Sequence, residues 1–258
     1  MTEHEHEPVG VFKDLPDDRD HSAENIYLAI GVPKGEYPPT LDMRDKMPAI
    51  RSQGSRSTCA AFTAAAIKEW QERTDSGFSK YMSPEFIYFY RSNKPEQGMF
   101  SRDVMDIMLK KGCCSEDALI YSANDSGAPT EIPQKLIDDA LGFKIKEYAR
   151  IDTLEGVKTA LYQNGPLYIS FPVYDIRPQF WRKSADDAVF RGGHAVVVVG
   201  YTSEGFIIRN SWGVSFGDRG YVIYPYSDFG AHWDIWTTID SRGSPKPYTP
   251  PAKCCQIS

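Results

Sequence analysis

The sequence lacks any excess of positive charge: 29 lysines and arginines stand against 35 aspartates and glutamates, a net charge of −6. A nucleic-acid surface needs a basic footprint, so partners of that class are excluded. No run of apolar residues approaches the roughly 20 that a membrane-spanning helix requires. The opening residues, Met1-Thr2-Glu3-His4-Glu5-His6-Glu7, are acidic and polar, the reverse of a secretory leader, and position 2 lacks the glycine that myristoylation needs. Cysteine is scarce. Four of the five form the vicinal pairs Cys113-Cys114 and Cys254-Cys255, which match neither a disulfide framework nor the CxxC spacing of a zinc site. His4 and His6 belong to an acidic tail rather than to a metal site. No internal repeat is visible. The expectation is a cytoplasmic monomer that holds no metal and no cofactor.

What is present is a globular composition, 41% hydrophobic and 13% aromatic over 258 residues. That length allows one large domain or two small subdomains sharing a cleft. Residues 1–40, with many charges and five prolines, read as an extended arm with one short helix around Ser22–Ile30 capped by Ser22. Residues 41–242 form the globular part, and 243–258 a proline-rich tail. Helices are expected from Thr58 to Arg73, after Ser83-Pro84-Glu85, from Ser101 to Lys111 before Gly112, from about Ile132 to Ala140, and from Thr153 to Gln163. After Pro166 the period changes. Leu167–Val173, Ala195–Tyr201, Phe206–Asn210, Tyr221–Tyr226 and Trp233–Ile239 read as strands. The first half is helical and the second is β.

Cys59 is the isolated cysteine, and it lies just inside the start of the alanine-rich helix, where unpaired N–H groups and the helix dipole favour a thiolate. A lone cysteine in a helix is ordinarily a small core residue. A thiolate also needs a base, and His194 stands at the mouth of the apolar run Ala195-Val196-Val197-Val198-Val199. Asn210 ends the next strand, where its amide oxygen could orient the imidazole.

These segments resemble the papain family of cysteine peptidases. Gln53-Gly54-Ser55 with Cys59 and Ala61-Phe62 is similar to the family's nucleophile segment. Gly193-His194-Ala195-Val196 with Gly200-Tyr201 is similar to its histidine segment. Asn210-Ser211-Trp212-Gly213 with Gly217 and Gly220-Tyr221 is similar to its asparagine segment. His194 and Asn210 follow Cys59 by 135 and 151 residues, near the family's spacing. The resemblance implies an α+β, papain-like fold of two subdomains. Its N-terminal half would be helical and its C-terminal half an antiparallel, β-barrel-like sheet, with the active site in the cleft between them. It implies Cys59 as nucleophile, His194 as base, Asn210 as orienting group and Gln53 as oxyanion donor, acting on peptide or protein substrates. Gly98, Met99, Gly193 and Trp212 would border the substrate, with a residue near Phe171.

Departures from the family pattern carry expectations of their own. Arg56 replaces a bridging cysteine and is expected to be solvated near the cleft. Ala60 replaces an aromatic residue, and Gly193 an aspartate. The arm resembles that of short-armed bacterial members such as xylellain, which implies that Gly10–Pro39 covers the cleft. The last four residues, Cys255-Gln256-Ile257-Ser258, fit a prenylation signal, so a membrane partner is expected only if Cys255 carries the lipid. Two rival readings stand beside the peptidase: transpeptidation or deamidation on the same triad, and a catalytically silent binding module.

Overall fold

The computed structural model describes residues 10–32, 35–124 and 127–240. His4, His6, Cys254 and Cys255 lie outside the described residues. The arm begins as strand β1 (Val11–Phe12) and continues into helix α1 (Ala23–Ala29), whose Ser22 cap accepts the Asn25 N–H as its residue type predicts. Strand β2 (Leu41–Asp42) leads to α2 (Cys59–Ser76), the buried central helix, which ends at Gly77 in the left-handed conformation. Helix α2 is lined by alanines where it meets the sheet. Farther along, its polar residues are buried in pairs: Lys68 reaches Glu72 at 2.9 Å and Asp240 at 2.6 Å. Helix α3 (Pro84–Phe89) starts at the expected Ser83 cap, and β3 (Met99–Phe100) runs directly into α4 (Ser101–Lys110). Helix α5 (Gln134–Ala140) completes the helical half.

The second half alternates less with helix, as its period predicts. Strand β4 (Ile145–Arg150) and helix α6 (Leu154–Asn164) precede β5 (Leu167–Val173), β6 (Gly192–Tyr201), β7 (Gly205–Arg209), β8 (Tyr221–Pro225) and β9 (Asp234–Asp240). The fold is α+β. One sheet runs in the order β3-β1-β6-β5-β9-β4, with β2 and β7 also on β6 and β8 on β7. Strand β6 uses both edges along its ten residues, and its register shifts between Val198 and Gly200, which lets the sheet curl around it.

Two features depart from the expectation. Strand β4 has no counterpart in the pattern of Ile145-Lys146-Glu147-Tyr148-Ala149-Arg150, because a bulge between Ile145 and Glu147 breaks the two-residue alternation. The helical half also contributes strands: β1 pairs parallel with β3 and antiparallel with β6, so the arm itself bridges the two halves.

Candidate active site

Gly192 to Tyr201 folds as a strand because its valines are buried on both faces, and this fixes His194 rigidly at the strand's first turn of register opposite Phe171. The His194 Nε2 and Asn210 Oδ1 atoms lie 2.7 Å apart. Nδ1, the other ring nitrogen, has no hydrogen-bond partner among the described residues. Trp212 stacks on the imidazole with centroids 4.2 Å apart and planes 20° apart. Phe180 meets the ring edge-on at 5.4 Å. The imidazole is thus held in one orientation and sealed from water on two sides.

Cys59 opens helix α2, and the Ala195 N–H points at its Sγ from 3.5 Å, so the sulfur lies beside the residue that follows His194. Gln53 is buried close by. Its Oε1 accepts the Ser211 hydroxyl at 2.7 Å, its Nε2 donates to the Arg56 carbonyl at 3.0 Å, and its backbone N–H bonds the Ser211 carbonyl at 2.9 Å. The Ser211 N–H in turn reaches Asn210 Oδ1 at 2.7 Å. Three segments far apart in sequence, carrying Gln53, His194 and Asn210-Ser211, thereby share one network. Ser211 stands inside the asparagine motif, which by itself assigns it no role, and Phe180 sits in a stretch without periodicity that carries no signal.

Gly98, Met99 and Gly193 come together around the arm. The Gly10 N–H donates to the Gly193 carbonyl at 2.8 Å, and the Met99 N–H donates to the Gly10 carbonyl at 2.9 Å. Glycine is required at both crossing points: a Cβ on Gly10 would lie 2.3 Å from the Ser57 carbonyl oxygen, and one on Gly193 would lie 2.2 Å from that of Val11. The aspartate expected from the family could not be accommodated at position 193 with the arm in this place.

With the arm seated, burial decides the electrostatics. It pushes the Cys59 thiol up to about 11, against the pull of the Ala195, Gly10, Ala60 and Cys59 N–H groups. Burial likewise lowers His194 to about 4. The thiolate expected from the helix dipole is therefore not the state of this covered site, because desolvation outweighs the dipole.

One further expectation is corrected. Arg56 is buried rather than solvated. Its guanidinium grips Glu85 through two contacts of 2.5 and 3.0 Å and gives a further N–H to the Ser122 carbonyl at 2.7 Å. A buried ion pair stands where the family has a bridging cysteine. Phe171 itself is fully buried among Phe180, Trp181 and Tyr224. Cys113 and Cys114 are buried free thiols at the end of α4. Among the described residues no cluster of histidine, cysteine or carboxylates could hold a metal ion.

The family model described as papain family cysteine protease matches residues 37–229, a span that contains Gln53, Cys59, His194 and Asn210. The chain belongs to the papain family. Papain-family relatives include cathepsin K of Mus musculus, 27% identical over 223 residues that cover 81% of this chain and 65% of that protein. The cathepsin B-like CP3 of Giardia intestinalis is 27% identical over 214 residues, 74% of this chain and 71% of its own length. The chain thus spans about two thirds of the length of these curated relatives. Among solved structures, xylellain, a cysteine protease from Xylella fastidiosa, superposes with a TM-score of 0.74 at 25% identity, covering 92% of this chain and 97% of that one.

Proposed function

We propose that the chain is a cysteine peptidase whose N-terminal arm covers its own cleft. In this reading Cys59 attacks a peptide carbonyl as the thiolate after its proton passes to His194 Nδ1. The imidazolium then protonates the leaving amine, and water cleaves the thioester, with its proton returning through the same nitrogen. Asn210 positions His194 through Nε2. Gln53 and the Cys59 N–H stabilise the oxyanion, a contribution that is worth roughly 3–4 kcal/mol per donor in comparable sites. The observation that carries the reading is the imidazole itself: fixed through Nε2 to Asn210, it leaves Nδ1 without a partner among the described residues, while the N–H of the next residue, Ala195, reaches the Cys59 sulfur at 3.5 Å.

The covering role of the arm is supported by the two backbone bonds of Gly10, which use the same Gly193 carbonyl and Met99 N–H that an extended peptide would need. The test is labelling by a thiol-directed epoxide together with hydrolysis of a fluorogenic peptide. Label on Cys59 and turnover that is lost in Cys59→Ser are the expected results. A chain that neither labels nor hydrolyses, even with the arm displaced, is a silent binding module.

A further inference from the structure

Beside the cleft, on the helical half, is a cavity of about 510 Å³. Its walls include Tyr88, Phe89, Arg91, Lys94, Pro95 and Gln97. Only Gly98 separates Gln97 from Met99, and the Ser57 hydroxyl bonds Gln97 Oε1 at 3.3 Å two residues before Cys59. Through Gln97 the cavity therefore adjoins the groove that holds the arm. It is not part of the Cys59–His194–Asn210 network.

Its charge is lopsided. The lining carboxylate, Glu85, is gripped through both oxygens by Arg56. Arg91 and Lys94 add two cations, and neither has a carboxylate partner among the described residues. Arg91 is braced: its guanidinium lies 4.1 Å over the Tyr88 ring, Nε donates to the Glu96 carbonyl at 3.0 Å and Nη1 to the Tyr88 carbonyl at 3.1 Å. Its Nη2 makes no hydrogen bond among the described residues. The Lys94 ammonium sits 3.8 Å over Phe89, and burial, followed by the nearby Arg91 charge, lowers its pKa. Two cations held over aromatic faces at one cavity, each with donors to spare, form a receptor for a single planar anion.

We infer that this cavity recognises a carboxylate side chain of the substrate, an aspartate or glutamate lying to one side of the cleaved bond. The inference rests on the peptidase reading and names its substrate class: peptides with an acidic residue at that one position. A peptide that follows the groove past Gly98 brings its side chains to the cavity mouth, and an acidic one would give Arg91 and Lys94 the counter-ion they lack among the described residues. Because the cations are partly open to water, the preference is salt-sensitive.

The test uses the full-length chain and a set of fluorogenic peptides in which each position carries Glu or Gln in turn, with free and amidated C-termini. At one position Glu should raise kcat/KM about tenfold over Gln, the scale of a charge-assisted hydrogen bond. About 0.5 M salt should shrink that ratio. The double variant Arg91→Gln/Lys94→Gln should abolish the ratio while keeping the rate on the Gln peptides, and Lys94→Glu should turn the preference toward Lys. Ratios within twofold at every position, a preference that survives in the double variant, or a preference that follows only the free C-terminus overturns the inference. Hydrolysis without the charge preference defeats this inference alone. Absence of both hydrolysis and Cys59 labelling defeats the peptidase reading and this inference with it.

Discussion

The backbone N–H of Gly10 meets the carbonyl of Gly193 at 2.8 Å, one residue before the histidine of the site. Any side chain on Gly10 would enter the space of the Ser57 carbonyl, 2.3 Å from the built Cβ position. Backbone atoms cannot yield cheaply there, so Gly10→Val in the full-length chain should unseat the arm without touching the body of the fold. The expected result is labelling of Cys59 at least about tenfold faster than in the unmodified chain, since loss of a short docked segment is worth a few kcal/mol at most. Equal labelling rates would show that the arm does not gate the thiol.

Ser211 is predicted to act on the reaction through Gln53. Its hydroxyl holds Gln53 Oε1 at 2.7 Å, and the position of the Gln53 amide sets where its N–H groups point. Gln53→Ala should lower kcat by about 10²–10³, the usual cost of one oxyanion donor. Ser211→Ala should lower kcat about tenfold with KM unchanged, because the donor survives but is less well aimed. Ser211→Thr keeps the hydroxyl and should restore most of the rate. Steady-state kinetics on one peptide separates these outcomes, and an equal loss in Ala and Thr variants would make the role of Ser211 one of packing alone.

Much of this site was legible because its chemistry is local. Cys59 at a helix start, His194 at the head of a valine run and Asn210 at a strand end are each visible from spacing and pattern. Helix caps at Ser22 and Ser83 were equally readable, since a capping side chain acts within three residues of itself. What could not be read depends on distant partners. The Arg56–Glu85 pair joins residues 29 apart, and nothing near Arg56 signals that its charge is satisfied and buried. Strand β4 exists because β9 pairs with it, not because Lys146 or Glu147 favours a sheet. The state of the Cys59 thiol is hidden for the same reason: the helix dipole is a local property, whereas the burial that outweighs it is set by the whole fold around the sulfur.

Arg56 and Glu85 give a prediction about stability. Both side chains are almost wholly buried, at 2% and 1% exposure. Removing one partner strands a charge, so Arg56→Ala or Glu85→Ala should each cost about 3–5 kcal/mol in urea unfolding. Replacing both with apolar residues of similar volume, Arg56→Met with Glu85→Leu, removes the desolvation penalty along with the attraction. That double variant should recover most of the loss. A double variant as unstable as either single one would assign the stability to the other contacts of Arg56, its Ser122 bond and the Tyr88 and Tyr121 rings.

Seating of the arm is predicted to be nearly independent of pH, because two buried groups titrate with opposite sign. His194 is lowered from 6.5 to about 4 by burial, and a seated form whose arm adds to that burial binds fewer protons than the open form in that range. This contribution is complete above about 6.5 and weakens as the pH falls toward 4, by at most about tenfold per pH unit. Asp14, carried by the arm itself, is raised from 3.8 to about 6 by burial, against the Arg102 N–H at 2.8 Å and the Arg102 and Arg150 charges, and with the Asp234 carboxylate adding to the rise. Its seated form binds more protons than its open form, so its contribution is complete below about 3.8 and is lost as the pH rises through about 6. The two windows overlap and their slopes cancel. Asp14→Asn removes one side of the balance: its arm should remain seated at pH 7 and loosen progressively below 6.5. The readout is the protection factor of the Gly10 and Met99 amides against hydrogen exchange, which already corrects for the intrinsic pH dependence. A flat profile in the unmodified chain with a falling one in Asp14→Asn is the expected pair. The same profile in both proteins would mean that His194 does not change its proton affinity when the arm leaves.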